Sequence, residues 1–275
     1  MSKPNATIRI NVDSTNPGQF FACCGLLELA DRLSPGAEGW FENGEFCVTS
    51  SKTLRELVFA LIANPPTEVT RIECNGLEVK PIIAPLTLFF DGGTILPFTL
   101  DAWTKIQLVK GVPTVTANPP WNFWSGQQTS KSIWLGLRKE LGAQLGKLTE
   151  DDFANLFSHR CFQKGRFGFD PGPAWNALDV GFSPNEQGIE VESSAAVDLL
   201  AAFGLQRFRP VMGDDRASFD YLTWSIPLSP SIAVAAMCGA LVDSSSCRFR
   251  GCVVSRGQYA ALGFSYPISK GASYE

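Results

Sequence analysis

The stretch Asn16-Pro-Gly-Gln-Phe-Phe-Ala-Cys-Cys-Gly-Leu-Leu-Glu-Leu-Ala-Asp31 decides how the amino-terminal part of the chain folds. Asn16 is a favoured N-cap and Pro17 suits the first helical position, so the stretch predicts a helix. The pattern continues to Leu33, where Ser-Pro-Gly ends it. Gly25, inside the helix, costs about 1 kcal/mol relative to alanine. We therefore expect Gly25 to pack closely against another backbone.

The segments around this helix predict a β-α-β-β-α-β order. Residues 6–13 alternate apolar and polar side chains, as a half-buried strand does. Residues 39–50 contain two short strand patterns around Asn43-Gly44, a favoured hairpin turn. A second helix begins near Leu54, and residues 69–74 resemble a strand. This order is typical of a ferredoxin-like or RRM-like unit.

The remaining chain predicts hairpins, helices and a further mixed portion. We expect a hairpin over 86–100 around Asp91-Gly-Gly, a loop over 118–126 and a helix over 130–146. A helix ending at Gly204 should precede a strand over 205–209, a buried helix over 231–242 and a strand over 247–254. The predicted fold class is α+β. The predicted domains are a ferredoxin-like one over 1–102, a basic, aromatic-rich insert over 103–175, and a mixed α/β portion over 176–275 packed with the first.

The composition indicates a globular protein. Of 275 residues, 45% are hydrophobic and 18% charged, which argues against extensive disorder. The longest apolar run, residues 232–242, is too short to cross a bilayer. We therefore expect a soluble, cytoplasmic protein without membrane contact. The eight cysteines lack zinc-site spacing and are expected to be buried free thiols. No metal or other cofactor is predicted.

Few residues suit catalysis. His159 is the sole histidine and is expected to lie at a helix end, and no phosphate-binding loop of the P-loop or Rossmann type occurs. The acids of Met212-Gly-Asp-Asp215 are expected in a solvated turn. We predict a protein that is not an enzyme. The alternative is a metal-dependent nuclease using Asp170, Asp179 or Asp214.

Charge is unevenly distributed along the chain. The total is -4, but residues 103–175 contain 9 basic and 5 acidic side chains, a balance of 9 - 5 = +4. A basic middle between acidic flanks predicts one anion-facing surface. Ordinary scatter of charges explains the same numbers.

Two Arg-Phe-Arg segments are candidate phosphate contacts, Arg207-Phe-Arg209 and Arg248-Phe-Arg250. In a strand, both arginines of such a segment point to one face. Two adjacent strands of this kind would place four guanidinium groups together, which suits phosphates. In the alternative interpretation, the arginines pair with Asp214, Asp215 or Asp220.

Two further segments combine aromatic and basic residues. In Cys161–Asp170, Gly165 and Gly168 permit close backbone approach, Lys164 and Arg166 supply charge, and Phe167 and Phe169 offer stacking faces. The second segment places Trp121 and Trp124 before a helix that carries Lys131 and Arg138. Its tryptophans are alternatively packing or interface anchors.

Several stretches resemble a small family of CRISPR-associated proteins of type I-U, also called type I-G. They are residues 16–31, Phe167-Gly-Phe-Asp-Pro-Gly172, residues 175–186 and residues 197–210. The resemblance extends from about residue 6 to residue 265. It includes no catalytic motif.

This resemblance implies a subunit of a crRNA-guided surveillance complex (Cascade), as a compact counterpart of its large subunit. The implied partners are crRNA, target DNA, the backbone and crRNA-processing RAMP subunits, and the helicase–nuclease. PAM recognition and recruitment of the helicase–nuclease are implied roles. The predicted ferredoxin-like unit is compatible with a RAMP-type fold, and it leaves open a backbone-like, crRNA-binding role. A protein-only adaptor is a further alternative.

Overall fold

The computed structural model describes residues 3–71, 73–90, 95–117, 121–124, 128–172, 192–215, 217–241, 244–256 and 259–268. The fold is mixed α+β, as predicted. Its helices are α1 Pro17–Leu33, α2 Leu54–Ala63, α3 Ser130–Leu145, α4 Ala195–Gly204 and α5 Pro230–Met237. Two 3-10 helices span Pro81–Ile83 and Asp151–Ser158.

The strands are short and form several small sheets. The first nine are β1 Ile8–Asn11, β2 Glu38–Glu42, β3 Glu45–Thr49, β4 Thr67–Glu68, β5 Glu78–Val79, β6 Leu86–Leu88, β7 Phe98–Leu100, β8 Thr104–Val109 and β9 Val112–Ala117. The others are β10 Cys161–Phe162, β11 Glu192–Ser193, β12 Val211–Met212, β13 Ser218–Leu222, β14 Arg248–Arg256, β15 Tyr259–Leu262 and β16 Tyr266–Ile268.

The predicted amino-terminal helix is confirmed as α1. The Asn16 side chain accepts a hydrogen bond from the Gln19 amide, as an N-cap does. The helix is buried on nearly all sides because it packs against α4. A side chain at Gly25 would collide with the Leu200 carbonyl oxygen, and one at Gly204 would collide with the Phe21 carbonyl oxygen. The expected close backbone packing at Gly25 is therefore confirmed.

The first sheet has the order β1-β3-β2, and the predicted hairpin forms its β2–β3 part. The outer strand of this sheet, β2, forms backbone hydrogen bonds with residues in the carboxyl-terminal part of the chain. The Gly39 amide donates to the Leu228 carbonyl at 2.9 Å, and the Phe41 amide donates to the Trp224 carbonyl at 2.8 Å. Residues from both ends of the chain thus share one hydrophobic core.

The predicted β-α-β-β-α-β unit is not seen as a single sheet in the described residues, where the first sheet contains only β1, β3 and β2. The strand predicted over 69–74 is wrong, because the chain turns there, with Asn75 and Gly76 at φ 55° and 77°. A shorter strand, β4, forms just before and pairs with β6. It therefore joins the sheet β4-β6-β7 and does not extend the sheet that contains β1.

The hairpin predicted over 86–100 and the helix predicted over 130–146 are confirmed in the described residues. β6 and β7 pair as the predicted hairpin, whose turn at 91–93 lies outside the described residues. Thr129 caps α3, which buries Ile133, Leu137, Leu141 and Leu145. A third sheet, β5-β9-β8, contains the hairpin of β8 and β9 with β5 parallel to β9.

The carboxyl-terminal sheet runs β12-β13-β14-β15, with β16 also paired to β14. The strand predicted over 247–254 is confirmed as β14. The helix predicted over 231–242 is shorter and only partly buried, because it ends before Gly239 at φ 81° and leaves Ile232 47% exposed. The strand predicted over 205–209 is wrong, since these residues form a turn after α4.

All eight cysteines are free thiols, as expected, but only Cys23, Cys24 and Cys47 are buried. His159 lies at the C-cap of the second 3-10 helix, as predicted. Within the described ranges, no helix combines the length and apolar character needed to cross a membrane. The division at residues 102 and 175 stays a prediction.

Candidate nucleic-acid interface

The first arginine segment does not present a phosphate-binding face. Arg207 donates through Nε and, at 3.2 Å, through Nη2 to Glu28, a carboxylate that is only 2% exposed. Arg209 donates to Asp101 at 2.9 Å. Phe208 is fully buried. Because the segment is a turn, its arginines diverge to separate acids, and the prediction of a shared face is wrong.

The second segment is in a strand, but its arginines converge on one acid. Arg250 donates to Asp220 from Nε at 2.8 Å and from Nη2 at 3.2 Å. The Arg248 Nε lies 3.3 Å from the same carboxylate. This confirms the alternative of pairing with Asp220. The four-guanidinium patch does not form, because only Arg248-Phe-Arg250 is in a strand.

The predicted stacking residues are core residues. Phe167 is fully buried, and Trp121 and Trp124 are 5% and 8% exposed. The Phe167 ring stacks on Trp103 with a centroid distance of 5.5 Å, and the Trp124 indole N–H donates to the Ile82 carbonyl at 2.8 Å. The stacking faces expected of these aromatic residues are therefore not exposed. Their packing confirms the anchor interpretation of the tryptophans.

A buried carboxylate fixes the segment that contains Phe167. Both oxygens of Asp198 accept backbone hydrogen bonds, one from Phe167 and one from Phe169, each at 3.0 Å. Gly168 between them has φ 84°, which brings its backbone against Phe123. Burial, and next the charge of Asp170, raises the pKa of Asp198 to about 7. These hydrogen bonds from the Phe167 and Phe169 amides to Asp198 hold the segment against the core.

Asp170 is also used structurally. Its carboxylate accepts from the Asn16 side-chain amide at 3.1 Å and lies 3.7 Å from Arg160. Asp214 is exposed, and Asp179 lies outside the described residues. Where the structure is described, no group of three or more His, Cys, Asp or Glu side chains is placed to hold a metal ion.

The remaining predicted basic residues divide into two groups. Arg138 donates from Nε to the Ile62 carbonyl and from Nη2 to the Ala63 carbonyl at 2.8 Å, so it caps the end of α2. Lys131 and Arg166 are half-buried, and Lys164 is exposed. Lys164 lines a groove.

That groove, which we call the α3 groove, has a volume of about 460 Å³. It lies between α3 and the segment 162–165. Its lining residues are Gln128, Ser132, Ile133, Gly136, Leu137, Lys139, Glu140, Phe162, Gln163, Lys164 and Gly165. Two lysines and one acid give the lining a net positive charge, and Phe162 is 56% exposed.

Hydrogen bonds from side chains to backbone carbonyls hold the walls of the α3 groove. Gln128 donates from its side chain to the Lys164 carbonyl at 2.9 Å, and Gln163 donates to the Ser193 carbonyl at 3.1 Å. Gly165 lets its segment approach α3, since a side chain there would lie 3.1 Å from the Gln128 amide nitrogen. Gly165 and Gly168 thus both lie close to neighbouring side chains, those of Gln128 and Phe123.

The α3 groove combines an exposed aromatic face with two ammonium groups. An aromatic side chain can stack on an unpaired base, and lysines can neutralise the adjoining phosphates. Phe162 and Lys139 were missed by the sequence interpretation. A signal for Phe162 exists, because it is two residues from Lys164 and an extended backbone puts both on one side.

No protein-family model matches the chain, and no curated protein or solved structure matches it.

Proposed function

We propose that this protein is a non-catalytic, nucleic-acid-binding subunit of a type I CRISPR surveillance complex. The sequence resemblance indicates which complex the protein belongs to. It implies crRNA, target DNA, RAMP subunits and the helicase–nuclease as partners. The observation that carries the binding role is the α3 groove, where the exposed Phe162 lies with Lys139 and Lys164. The β1-β3-β2 sheet with its two helices is compatible with a shortened RAMP-type unit.

The groove suits an unpaired strand better than a duplex. A single exposed aromatic ring beside lysines matches base stacking with phosphate neutralisation, which is how single strands are bound without strict sequence preference. Duplex recognition instead uses a helix or ribbon that enters a groove. We therefore assign the α3 groove to an unpaired segment of crRNA or displaced DNA.

Removing the two groove lysines tests this assignment. We expect Lys139→Gln combined with Lys164→Gln to weaken binding of a fluorescein-labelled single-stranded RNA about tenfold. The slope of log affinity against log salt should fall by about 1.4, since each phosphate contact to a single strand contributes about 0.7. Fluorescence anisotropy over a salt series measures both quantities.

The matched control removes two exposed lysines elsewhere, Lys80→Gln with Lys147→Gln, which do not line the groove. If both double variants lose affinity equally, binding is diffuse and the α3 groove is not the site. Magnesium-dependent cleavage of the RNA that is lost in Asp170→Asn would instead support the nuclease alternative.

The aromatic contribution has its own control. Phe162→Ala should weaken RNA binding about tenfold, because base stacking on an aromatic ring is worth about 1–3 kcal/mol. Phe264→Ala removes a ring of similar exposure, 53%, outside the groove and should leave affinity unchanged. Unchanged affinity in Phe162→Ala would remove base stacking from the proposal.

A further inference from the structure

Among the strands that the structure describes, none pairs with the outer edge of the hairpin formed by β8 and β9. Its turn places Lys110 and Gly111 at φ 52° and 79°, the left-handed pair of a type I′ turn. Six residue pairs join the strands, from Thr104↔Ala117 to Val109↔Val112. In the sheet order β5-β9-β8, β8 is the outer strand.

The turn determines which backbone groups of β8 face outward. The pair flanking a two-residue turn, Val109 and Val112, exchanges both backbone hydrogen bonds, and hydrogen-bonded pairs then alternate along the ladder. Gln107 therefore bonds to β9, whereas Ile106 and Leu108 present their N–H and C=O groups to this outer edge. A row of such groups is a template for another strand.

The side chains on this edge strand are unusually exposed. Ile106 is 68% exposed, Leu108 is 72% exposed, and Val112 on the adjoining strand is 53% exposed. Solvent-facing edge strands are commonly protected by an inward charge, a proline or a bulge. In β8 the one charged residue is Lys105, near its start; residues 106–109 contain neither a charge nor a proline, and their pairing with β9 is regular.

Charge indicates the kind of strand that fits. Lys105 and Lys110 lie at the two ends of the exposed stretch, and residues 102–117 contain no acidic side chain. Pairing with a second copy of β8 would bring only like charges together, which is unfavourable across strands. A strand that carries acidic residues would place them against these lysines.

We propose that β8 accepts an extended, acidic and apolar segment of another protein by β-strand addition. The backbone of Ile106 and Leu108 supplies the hydrogen bonds, and their side chains supply the apolar contact. The lysines at either end select for acidic residues. This surface is separate from the α3 groove and is independent of nucleic-acid binding, so either proposal can fail alone.

A fluorescent peptide of about twelve residues with alternating Glu and Val is a suitable probe, since it exceeds the usual length of a strand. We expect it to bind the full chain and to slow amide hydrogen exchange at Ile106 and Leu108. A Lys–Val peptide of the same length should bind at least about tenfold more weakly because of like-charge repulsion.

Leu108→Pro removes one outward N–H at an edge position that tolerates proline, and should weaken Glu–Val binding on the order of tenfold. Leu108→Thr keeps the N–H and reports the side-chain contribution alone. Cooperative urea unfolding of Leu108→Pro should resemble that of the unmodified chain, which shows that the variant folds whether or not the chain binds RNA.

Three results would overturn the proposal. The first is a Glu–Val peptide that binds no more tightly than the Lys–Val peptide, or that leaves amide hydrogen exchange at Ile106 and Leu108 unchanged. The second is a dimer of the chain, seen by analytical ultracentrifugation, that Leu108→Pro abolishes, because β8 would then serve self-association. The third is protection of the same amides by RNA or duplex DNA in place of the peptide.

Discussion

The two halves of Cys161–Asp170 are similar in composition and opposite in placement. Residues 161–165 place Phe162 and Lys164 at the surface of the α3 groove, whereas Phe167 and Phe169 are fully buried. The difference arises from backbone hydrogen bonds. Asp198 binds the amides of the second half from within the core, whereas the first half pairs with the short strand β11 and accepts a hydrogen bond from the Gln128 side chain. Composition alone therefore does not identify which aromatic residues are available to a ligand.

The largest expected effect is a difference in the free energy of unfolding between variants of Phe167 and Phe162. Phe167→Ala should lower the free energy of unfolding by about 3–5 kcal/mol, because it leaves a cavity in a packed aromatic core. Phe162→Ala should lower it by less than about 1 kcal/mol, since its ring is largely in solvent already. Urea unfolding followed by tryptophan fluorescence measures both. Similar losses in the two variants would contradict the division into a buried and an exposed half.

A smaller effect concerns the carboxylate that holds the buried half. The pKa of Asp198 is raised from its ordinary value of 3.8 to about 7 in the folded chain. Between these values the folded state keeps a proton that the unfolded state has released, so the free energy of unfolding falls as pH rises. One such proton corresponds to about 1.4 kcal/mol per pH unit, or about 2–3 kcal/mol from pH 5 to pH 7.

Comparison with Asp198→Asn tests this pH dependence. The variant should have a shallower slope of stability between pH 5 and pH 7, because the titrating group is gone while Asp170 and Arg160 remain. Carboxyl-carbon NMR of the unmodified chain should show a midpoint near 7. A midpoint near 4, or the same slope in both proteins, would mean that Asp198 stays ionised in the core.

The smallest expected effect tests whether Arg207 and Arg209 are structural. Arg207→Ala combined with Arg209→Ala should lower stability by about 1 kcal/mol, because the buried Glu28 loses one cation. Arg32, which lies 2.7 Å from Glu28, remains to pair with it. RNA affinity should stay unchanged. A clear loss of affinity without a loss of stability would return these arginines to the nucleic-acid site.

Much of the helical structure follows from local signals. Asn16 caps α1 as its sequence predicts, α3 begins at the predicted residue, and the apolar spacing of α3 identifies its buried face. These signals are local because a helix satisfies its backbone hydrogen bonds within one segment. Gly25 similarly indicated a close helix contact, although its partner, α4, is far away in sequence.

The sheets were less predictable because strand pairing depends on distant residues. Nothing near Thr67 shows that β4 will pair with β6 and leave the first sheet with three strands. The alternating pattern of Arg207-Phe-Arg209 predicts a strand, but the chain forms a turn at residues 205–207. The acids that pair with these arginines, Glu28 and Asp101, are distant in sequence.

The candidate site was located only in part from the sequence. Lys164 was identified by its neighbourhood of glycines and aromatic residues, but Lys139 and Phe162 join it through the packing of α3 against segment 162–165. Such a groove between distant segments has no signature in a single sequence. Its aromatic member is distinguished from Phe167 only by burial.

Ultraviolet crosslinking of a bound nucleic acid tests the central claim most directly. The assembled complex is irradiated, digested, and analysed by mass spectrometry for nucleotides attached to this chain. The α3 groove predicts crosslinks at Phe162 or its immediate neighbours, lost in Lys139→Gln with Lys164→Gln and retained in Lys80→Gln with Lys147→Gln. Crosslinks confined to other segments, or none on this chain, would contradict the account.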